Sequence, residues 1–465
     1  MFNKEIYIER RKRLKEQVKN GIILLTGNEE SSMNYKDNWY HFRQDSNFLY
    51  FIGIDRPGLF ALIDIDNDIE LIFGDELTID DIVWTGPQPS ISEQASLTGI
   101  YKTLPLQSLR ANIEAAKIKS QVHYLPPYRP ETKILLSTWL DIPVKELKEK
   151  ASAKLIKAIV EQRSVKTAIE IAEIEKAVDT TANMQLTAMR FAKAGYTEAN
   201  VAAQVHARAI SDGGNLSFPT ILTVNGQVLH NHYGNTAINL QQMVLCDCGA
   251  ETSMHYAGDL TRTFPVDKTF TQQQKEMYQV VLNAQQKAIQ ALKPGVLFKD
   301  VHFIACEELV TGLQQCGLMK GNAADAVAAG AHTLFFQCGL GHMMGLDVHD
   351  MENLGEEYVG YTDTLIKSKE FGLKSLRLGR ALEEGFVVTI EPGLYFIPEL
   401  TDRWAAEKKH TNFINYEKVM AYKNFGGIRI EDDYLITAEG CRLLGSDIVP
   451  RDIDKIEAVR QEALQ

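Results

Sequence analysis

Apolar positions along this chain recur with two periods. Residues 6–19 carry the charged amphipathic pattern of a helix. Gly21 to Gly27 encloses Ile22-Ile23-Leu24-Leu25, a buried strand bounded by glycines. Leu59 to Ile65 and Ile69 to Phe73 are apolar runs on either side of Asp66-Asn67-Asp68, which predicts a hairpin. Pro126-Pro127 and Pro130 mark a loop, and the Lys-rich helical stretch from Val144 to Val165 contains the expected domain join. Beyond it the plan repeats. Lys166 to Lys193 predicts a long helix with Ile171, Ile174 and Val178 on one face, stopped by Gly195, and Thr197 to Ser211 a second, ending at Gly213-Gly214. One hundred residues later Gln272 to Leu292 is stopped by Pro294-Gly295, and Phe298 to Gln315 ends near Gly317. Ala192-Lys193-Ala194-Gly195 aligns with Leu292-Lys293-Pro294-Gly295, and each helix pair precedes apolar strand runs. The pattern predicts a duplicated unit of two helices and a sheet.

Five charges interrupt those later runs. Asp247 ends Met243-Val244-Leu245-Cys246, and Asp259 sits in Tyr256-Ala257-Gly258-Asp259-Leu260. His342 lies in Gly339-Leu340-Gly341-His342, Glu391 follows Phe386 to Ile390, and Glu431 ends Gly426-Gly427-Ile428-Arg429-Ile430. A charge in such a frame is costly unless it is paired or binds metal. Four carboxylates and one imidazole suit two hard or borderline divalent cations, whose charge they balance. A hairpin would set Asp247 and Asp259 opposite each other on one face. Two neighbouring ions would share bridging carboxylates and a bridging water, lowering its pKa and polarising a carbonyl, which is the chemistry of amide hydrolysis. Arg429 shares a strand face with Glu431. It either orients the ligand carboxylates or makes an ordinary salt bridge. His349, His230 and His232 flank the proposed ligands in sequence and are candidates to bind a substrate carbonyl or a developing oxyanion. Cys246 and Cys248 flank Asp247 in a strand, so their side chains are expected to point away from it.

Composition narrows the class. At 465 residues two domains are expected, and 45% hydrophobic with 24% charged residues is ordinary for a globular protein. A net charge of −12 argues against nucleic-acid binding and against attraction to anionic membranes. There is no run of 18 apolar residues, and the N-terminus lacks an apolar signal core. With six cysteines and no disulfide-framework pattern, the expected location is the cytoplasm.

The segments Leu245-Cys246-Asp247-Cys248-Gly249, Tyr256 to Phe264, Gly339 to His342, Asp347-Val348-His349-Asp350, Ile390-Glu391-Pro392-Gly393-Leu394-Tyr395 and Gly427 to Asp432 resemble the Xaa-Pro peptidases. These are the aminopeptidase P and prolidase branch of the pita-bread metallopeptidases. Phe42 to Gly53 is similar to the aminopeptidase P N-terminal domain. The resemblance implies an α/β (α+β) chain: a smaller α/β N-terminal domain over residues 1–155 and a pita-bread catalytic domain with an internal pseudo-two-fold repeat over 160–450. It implies a metallo-exopeptidase that hydrolyses the Xaa-Pro bond at the N-terminus of proline-containing peptides through a metal-bridging water or hydroxide. Two Mn²⁺ ions, with Co²⁺ or Zn²⁺ as alternatives, would be held by Asp247, Asp259, His342, Glu391 and Glu431. His349 matches the family's substrate-stabilising histidine. The upstream catalytic histidine matches His230 by its Val-Leu-His context or His232 by the Tyr-Gly that follows. A homodimer or homotetramer is expected. Three departures stand out: a hairpin between the two aspartates one residue longer than usual, an insertion from Ile397 to Lys423 expected as a flap or oligomer contact, and Cys338 at a substrate-lining position where the family usually has His. Alternatives are an Xaa-Pro dipeptidase, a metal-free creatinase-like hydrolase and a non-catalytic binding protein; the last two lack the metal ligands.

Overall fold

A computed structural model describes all residues, Met1–Gln465. The chain divides into two compact units, Met1–Arg163 with Asn353–Tyr358, and Ser164–Glu352 with Val359–Gln465.

The first unit is built on a mixed five-stranded sheet. Its strands are β1 (Ile22–Thr26), β2 (Phe60–Asp64), β3 (Ile69–Phe73), β4 (Thr103–Leu104) and β5 (Val122–Tyr124), in the order β4-β3-β2-β1-β5. The hairpin forms as expected, with Phe60 paired to Phe73 and Asp64 to Ile69, and Asp68 takes φ +54° in its turn. Leu24, Phe60, Leu62, Phe73 and Trp139 pack into one core on the sheet. Arg11 is buried because its guanidinium is fully used: it pairs with Glu70 at 2.8 Å and donates to the carbonyls of Phe51 and Thr98. The Gln44-Asp45 pair fixes the following helix, Ser46–Ile52. Gln44 Oε1 accepts from Asn28 N–H, and Asp45 caps the helix by accepting from Asn47 and Phe48.

In the second unit two helix pairs carry two sheets. Ala168–Phe191 packs on Glu198–Ser211, and Gln272–Ala291 on Phe298–Gln315. The strands are β6 (Asn215–Leu216), β7 (Ile221–Thr223), β8 (Met243–Cys248), β9 (Ala250–Glu251), β10 (Leu260–Pro265), β11 (Val387–Ile390), β12 (Gly393–Tyr395), β13 (Gly427–Arg429), β14 (Asp432–Ile436) and β15 (Cys441–Leu443). They form the sheets β10-β8-β7 and β11-β14-β15, with the short pairs β12-β13 and β6-β9. The duplication read from the sequence extends to the hydrogen bonding. Gly195 N–H donates to Ile238 and Ile238 N–H returns to Tyr196; Gly295 N–H donates to Leu382 and Leu382 N–H returns to Val296. Gly195 and Gly295 both need positive φ, +89° and +84°, to turn out of their helices.

The two halves join along a seam. Glu431 N–H donates to the Thr261 carbonyl at 3.0 Å, and Thr263 Oγ1 both donates to the Arg429 carbonyl and accepts its N–H. Arg262, fully buried, locks the seam from behind by donating to the carbonyls of Glu431 and Pro450 and pairing with Asp432 at 2.6 Å. The Ile397–Lys423 insertion carries two short helices, Pro398–Ala406 and Tyr416–Ala421. Trp404 on the first is 3% exposed, and Lys320 N–H donates to Phe413.

Candidate active site

The seam gathers charges that lie far apart in sequence. Asp247 is on β8, Asp259 immediately precedes β10, Glu391 follows β11, and Glu431 lies between β13 and β14. The hairpin register corrects one expectation: Asp247 faces Thr261, not Asp259, so the two aspartates are diagonal neighbours on one face. Cys246 and Cys248 point to the other face as expected. Their sulfurs are 3.9 Å apart, and Gln185 on the Ala168–Phe191 helix donates to Cys248 Sγ. The successive acids Glu431, Asp432 and Asp433 also alternate. Asp432 is held by Arg262 and Arg451, whereas Asp433 accepts the Asp259 N–H at 3.1 Å.

His342 arrives on a backbone that runs against β11. A Cβ on Gly341 would lie 2.0 Å from the Thr389 carbonyl, so only glycine allows the approach. His342 N–H donates to Thr389 Oγ1, and its Nδ1 lies 3.1 Å from the Met343 carbonyl. That contact places the proton on Nδ1 and leaves the Nε2 lone pair facing Asp259 at 3.5 Å and Glu391 at 3.6 Å. Ligand atoms of Asp259, His342 and Glu431 all lie within 4.8 Å of one another.

The electrostatics ask for a cation. Burial and the neighbouring carboxylates push Asp259 and Glu431 well above the usual range, and burial pushes Glu391 up to about 7. Burial drives His342 well below its ordinary value, so its imidazole is neutral and free to donate a lone pair. Asp247 Oδ1 and Asp259 Oδ1 are buried with no hydrogen-bond partner. Unpartnered carboxylate oxygens around a neutral imidazole fit divalent ions with oxygen and nitrogen ligands.

Arg429 touches the cluster directly. Its guanidinium pairs with Asp247 at 2.5 Å, donates to the Tyr395 hydroxyl at 3.0 Å and reaches Thr261 Oγ1 at 3.2 Å. Thr261 donates to Glu431 at 2.6 Å. These contacts hold two carboxylates in place through one arginine and one threonine. Sequence reading missed Thr261, Tyr395 and Asp433. Thr261 was within reach, because it lies two residues beyond Asp259 and so shares its strand face.

The cluster floors a cavity of about 280 Å³ lined by Phe218, His230, His232, Cys338, His349 and the five charged residues, among others. The His349 ring meets the His342 ring edge-on, with centroids 4.3 Å apart, and its Nδ1 contacts Glu352 at 2.7 Å. That hydrogen bond, with Arg377 adding to it, pulls the Glu352 carboxyl down to about 2. His230 lies within the fields of Arg429, Asp247 and His349, and burial lowers its pKa. His232 Nδ1 is 3.3 Å from the Thr220 carbonyl. Cys338 Sγ contacts the Tyr395 hydroxyl at 4.0 Å, and burial pushes its thiol up to about 12, so it is uncharged at neutral pH.

This fold and cavity define a class. The chain belongs to metallopeptidase family M24, whose pattern matches residues 172–438, so divalent metal ions are part of its chemistry. With the aminopeptidase P N-terminal domain matching residues 7–123, it is a metallo-exopeptidase of the aminopeptidase P and prolidase type. A probable Xaa-Pro aminopeptidase PEPP of Leptosphaeria maculans is 29% identical over 96% of this chain and 76% of its own. The human Xaa-Pro dipeptidase is 29% identical over 94% of this chain and 88% of its own. Escherichia coli aminopeptidase P in complex with substrate superposes with a TM-score of 0.82 at 27% identity, covering 100% of this chain and 99% of that one.

Proposed function

We propose that this enzyme hydrolyses the Xaa-Pro bond at the N-terminus of peptides, using two divalent ions held by Asp247, Asp259, His342, Glu391 and Glu431. The observation that carries the reading is the convergence of carboxylates from both halves on the bare Nε2 of His342. Ions bound there would supply Lewis acidity toward the scissile carbonyl and toward an attacking water. The chain's own residues do the rest. Arg429 holds Asp247 in place and is itself braced by the Tyr395 hydroxyl. Glu352 anchors His349 through Nδ1, and in the doubly protonated imidazolium form Nε2 donates to the substrate carbonyl or the developing oxyanion. His230, which lines the same cavity, serves the same end, with His232 as the alternative.

The oxygen-rich ligand set favours Mn²⁺, with Co²⁺ and Zn²⁺ also accommodated. A zinc-substituted E. coli aminopeptidase P in complex with product is among the similar structures. A cytoplasmic homodimer or homotetramer completes the reading, and the net charge of −12 supports the lack of a nucleic-acid or anionic-membrane partner. No helix is long and apolar enough to cross a membrane. The human relative's name supports one second reading, an Xaa-Pro dipeptidase. A panel of Xaa-Pro, Xaa-Pro-Yaa and Xaa-Ala-Yaa peptides with added Mn²⁺ separates them. Proline's ring fixes φ and removes an N–H, so Xaa-Pro-Yaa cleavage with very slow Xaa-Ala-Yaa cleavage is expected. Cleavage of Xaa-Pro alone would indicate the dipeptidase, and equal rates for Pro and Ala a general aminopeptidase.

A further inference from the structure

A second cluster of metal-binding side chains lies outside the carboxylate site. His302 and Cys306 are one turn apart on the Phe298–Gln315 helix, so they share a face. His332 comes from the turn Ala331–Leu334. One ligand atom from each of the three lies within 4.8 Å of the other two. All are buried, at 1%, 0% and 3% exposure. Hydrogen bonding accounts for them only in part: Cys306 Sγ and His302 Nε2 share one contact, while Nδ1 of His302 and Nδ1 of His332 are buried without a partner. Such orphaned atoms call for an ion or a water. The spacing is that of a coordination edge. Cys306 Sγ is 3.5 Å from His302 Nε2. Metal–sulfur and metal–nitrogen bonds of zinc at the tetrahedral angle set S···N at about 3.6 Å.

We propose that His302, Cys306 and His332 form a second metal site that takes one thiophilic ion, Cu⁺ or Zn²⁺. The donor set is soft, two imidazoles and a thiolate, where the catalytic cluster offers four carboxylates and one imidazole. The two sites therefore differ in preference: Cu⁺ suits the trio and Mn²⁺ the carboxylate cluster, while Zn²⁺ fits both. Charge separates the two candidates. The trio contributes a single negative charge, so Cu⁺ leaves the buried site neutral and Zn²⁺ leaves it with one excess charge that burial penalises. The rings of Phe303 and Phe336, with centroids 5.5 and 5.7 Å from that of His302, pack beside the site. Binding releases the Cys306 proton, so affinity rises with pH.

The test uses the whole enzyme loaded with Mn²⁺, to which Zn²⁺ or Cu⁺ is added from a chelator-buffered solution. Metal per chain is counted after desalting, and X-ray absorption reports the ligands of the added ion. Wild type is expected to bind one ion more than Cys306→Ser retains, with one sulfur and two imidazoles in its shell. Cu⁺ should bind more tightly than Zn²⁺, and Cys306→Ser should keep its Mn²⁺-dependent turnover. Equal binding by wild type and Cys306→Ser overturns the proposal. If that variant fails to fold, the wild-type spectrum decides: an added ion with only oxygen and nitrogen neighbours, or no added ion, overturns it equally.

Discussion

Replacing Arg429 with Lys tests whether one side chain sets the geometry of the proposed ligands. Arg429 is 4% exposed and uses three separate nitrogens, Nε to Thr261, Nη1 to Tyr395 and Nη2 to Asp247. A lysine keeps the charge, but a single ammonium cannot reproduce a planar fork that spans three acceptors. The charged hydrogen bonds it abandons contribute about 1.5–3 kcal/mol each. With the Asp247 pair kept and the other two lost, the apo enzyme should lose about 3 kcal/mol or more. Disturbing a residue that orients a metal ligand costs about 10–100-fold in metal affinity. That corresponds to roughly 1.4–2.8 kcal/mol. The assay is a Mn²⁺ titration of Xaa-Pro-Yaa hydrolysis in both proteins, with urea unfolding of the metal-free forms alongside. The titration midpoint should move up by one to two decades and the urea midpoint down. A variant that unfolds earlier but binds Mn²⁺ as tightly as wild type would refute the argument, because Arg429 would then be a structural salt bridge only.

Four further outcomes follow from the same geometry. Glu391→Gln removes a charge without volume and should abolish most activity with the fold intact; near-normal turnover at full metal content would rule out the site. Cys338→Ser should be tolerated within about tenfold, since neither thiol nor hydroxyl carries charge. His349→Ala should lose on the order of 10²-fold, and steady-state kinetics on both variants, with metal content measured, would expose the reverse. Glu352 is depressed to about 2 in the folded enzyme, so its ionised form is favoured by folding. Its contribution is therefore fully present above the unfolded value of about 4.3 and is lost as pH falls through about 2. The stability difference between wild type and Glu352→Gln should stay constant above about pH 5 and shrink below it. A gap that does not change between pH 6 and 3 would contradict the assignment.

The helices were legible because their apolar period and glycine stops agree. Phe298–Gln315 begins and ends where the pattern places it. The repeat was legible because Gly195 and Gly295 turn the chain in matching places. The five charges were legible as intrusions in apolar frames. What the pattern could not supply was register. Asp259 lies one residue before β10, so the pair sits diagonally, and no period reveals where a strand's first bond falls. Asp433 was missed because its role exists only across the seam between two sheets, and Tyr395 because its partner Arg429 comes from a strand 34 positions later. His332 was hidden for the same reason: its partners are 26 and 30 positions earlier and meet it only in the folded unit.

The seam between Thr261 and Glu431 makes the proposed catalytic centre common property of two half-units. Asp247 and Asp259 lie before the exposed Lys268-Thr269 link, whereas His342, Glu391, Arg429 and Glu431 lie after it. Neither part alone carries a complete set, so a chain severed at that link would work only when both pieces meet. Its activity would then depend on the product of two fragment concentrations. The joint also constrains descent. A single ancestral half could have acquired this centre only by pairing with a second copy, and fusion of the two copies would have turned a concentration-dependent enzyme into one whose site forms within a single molecule.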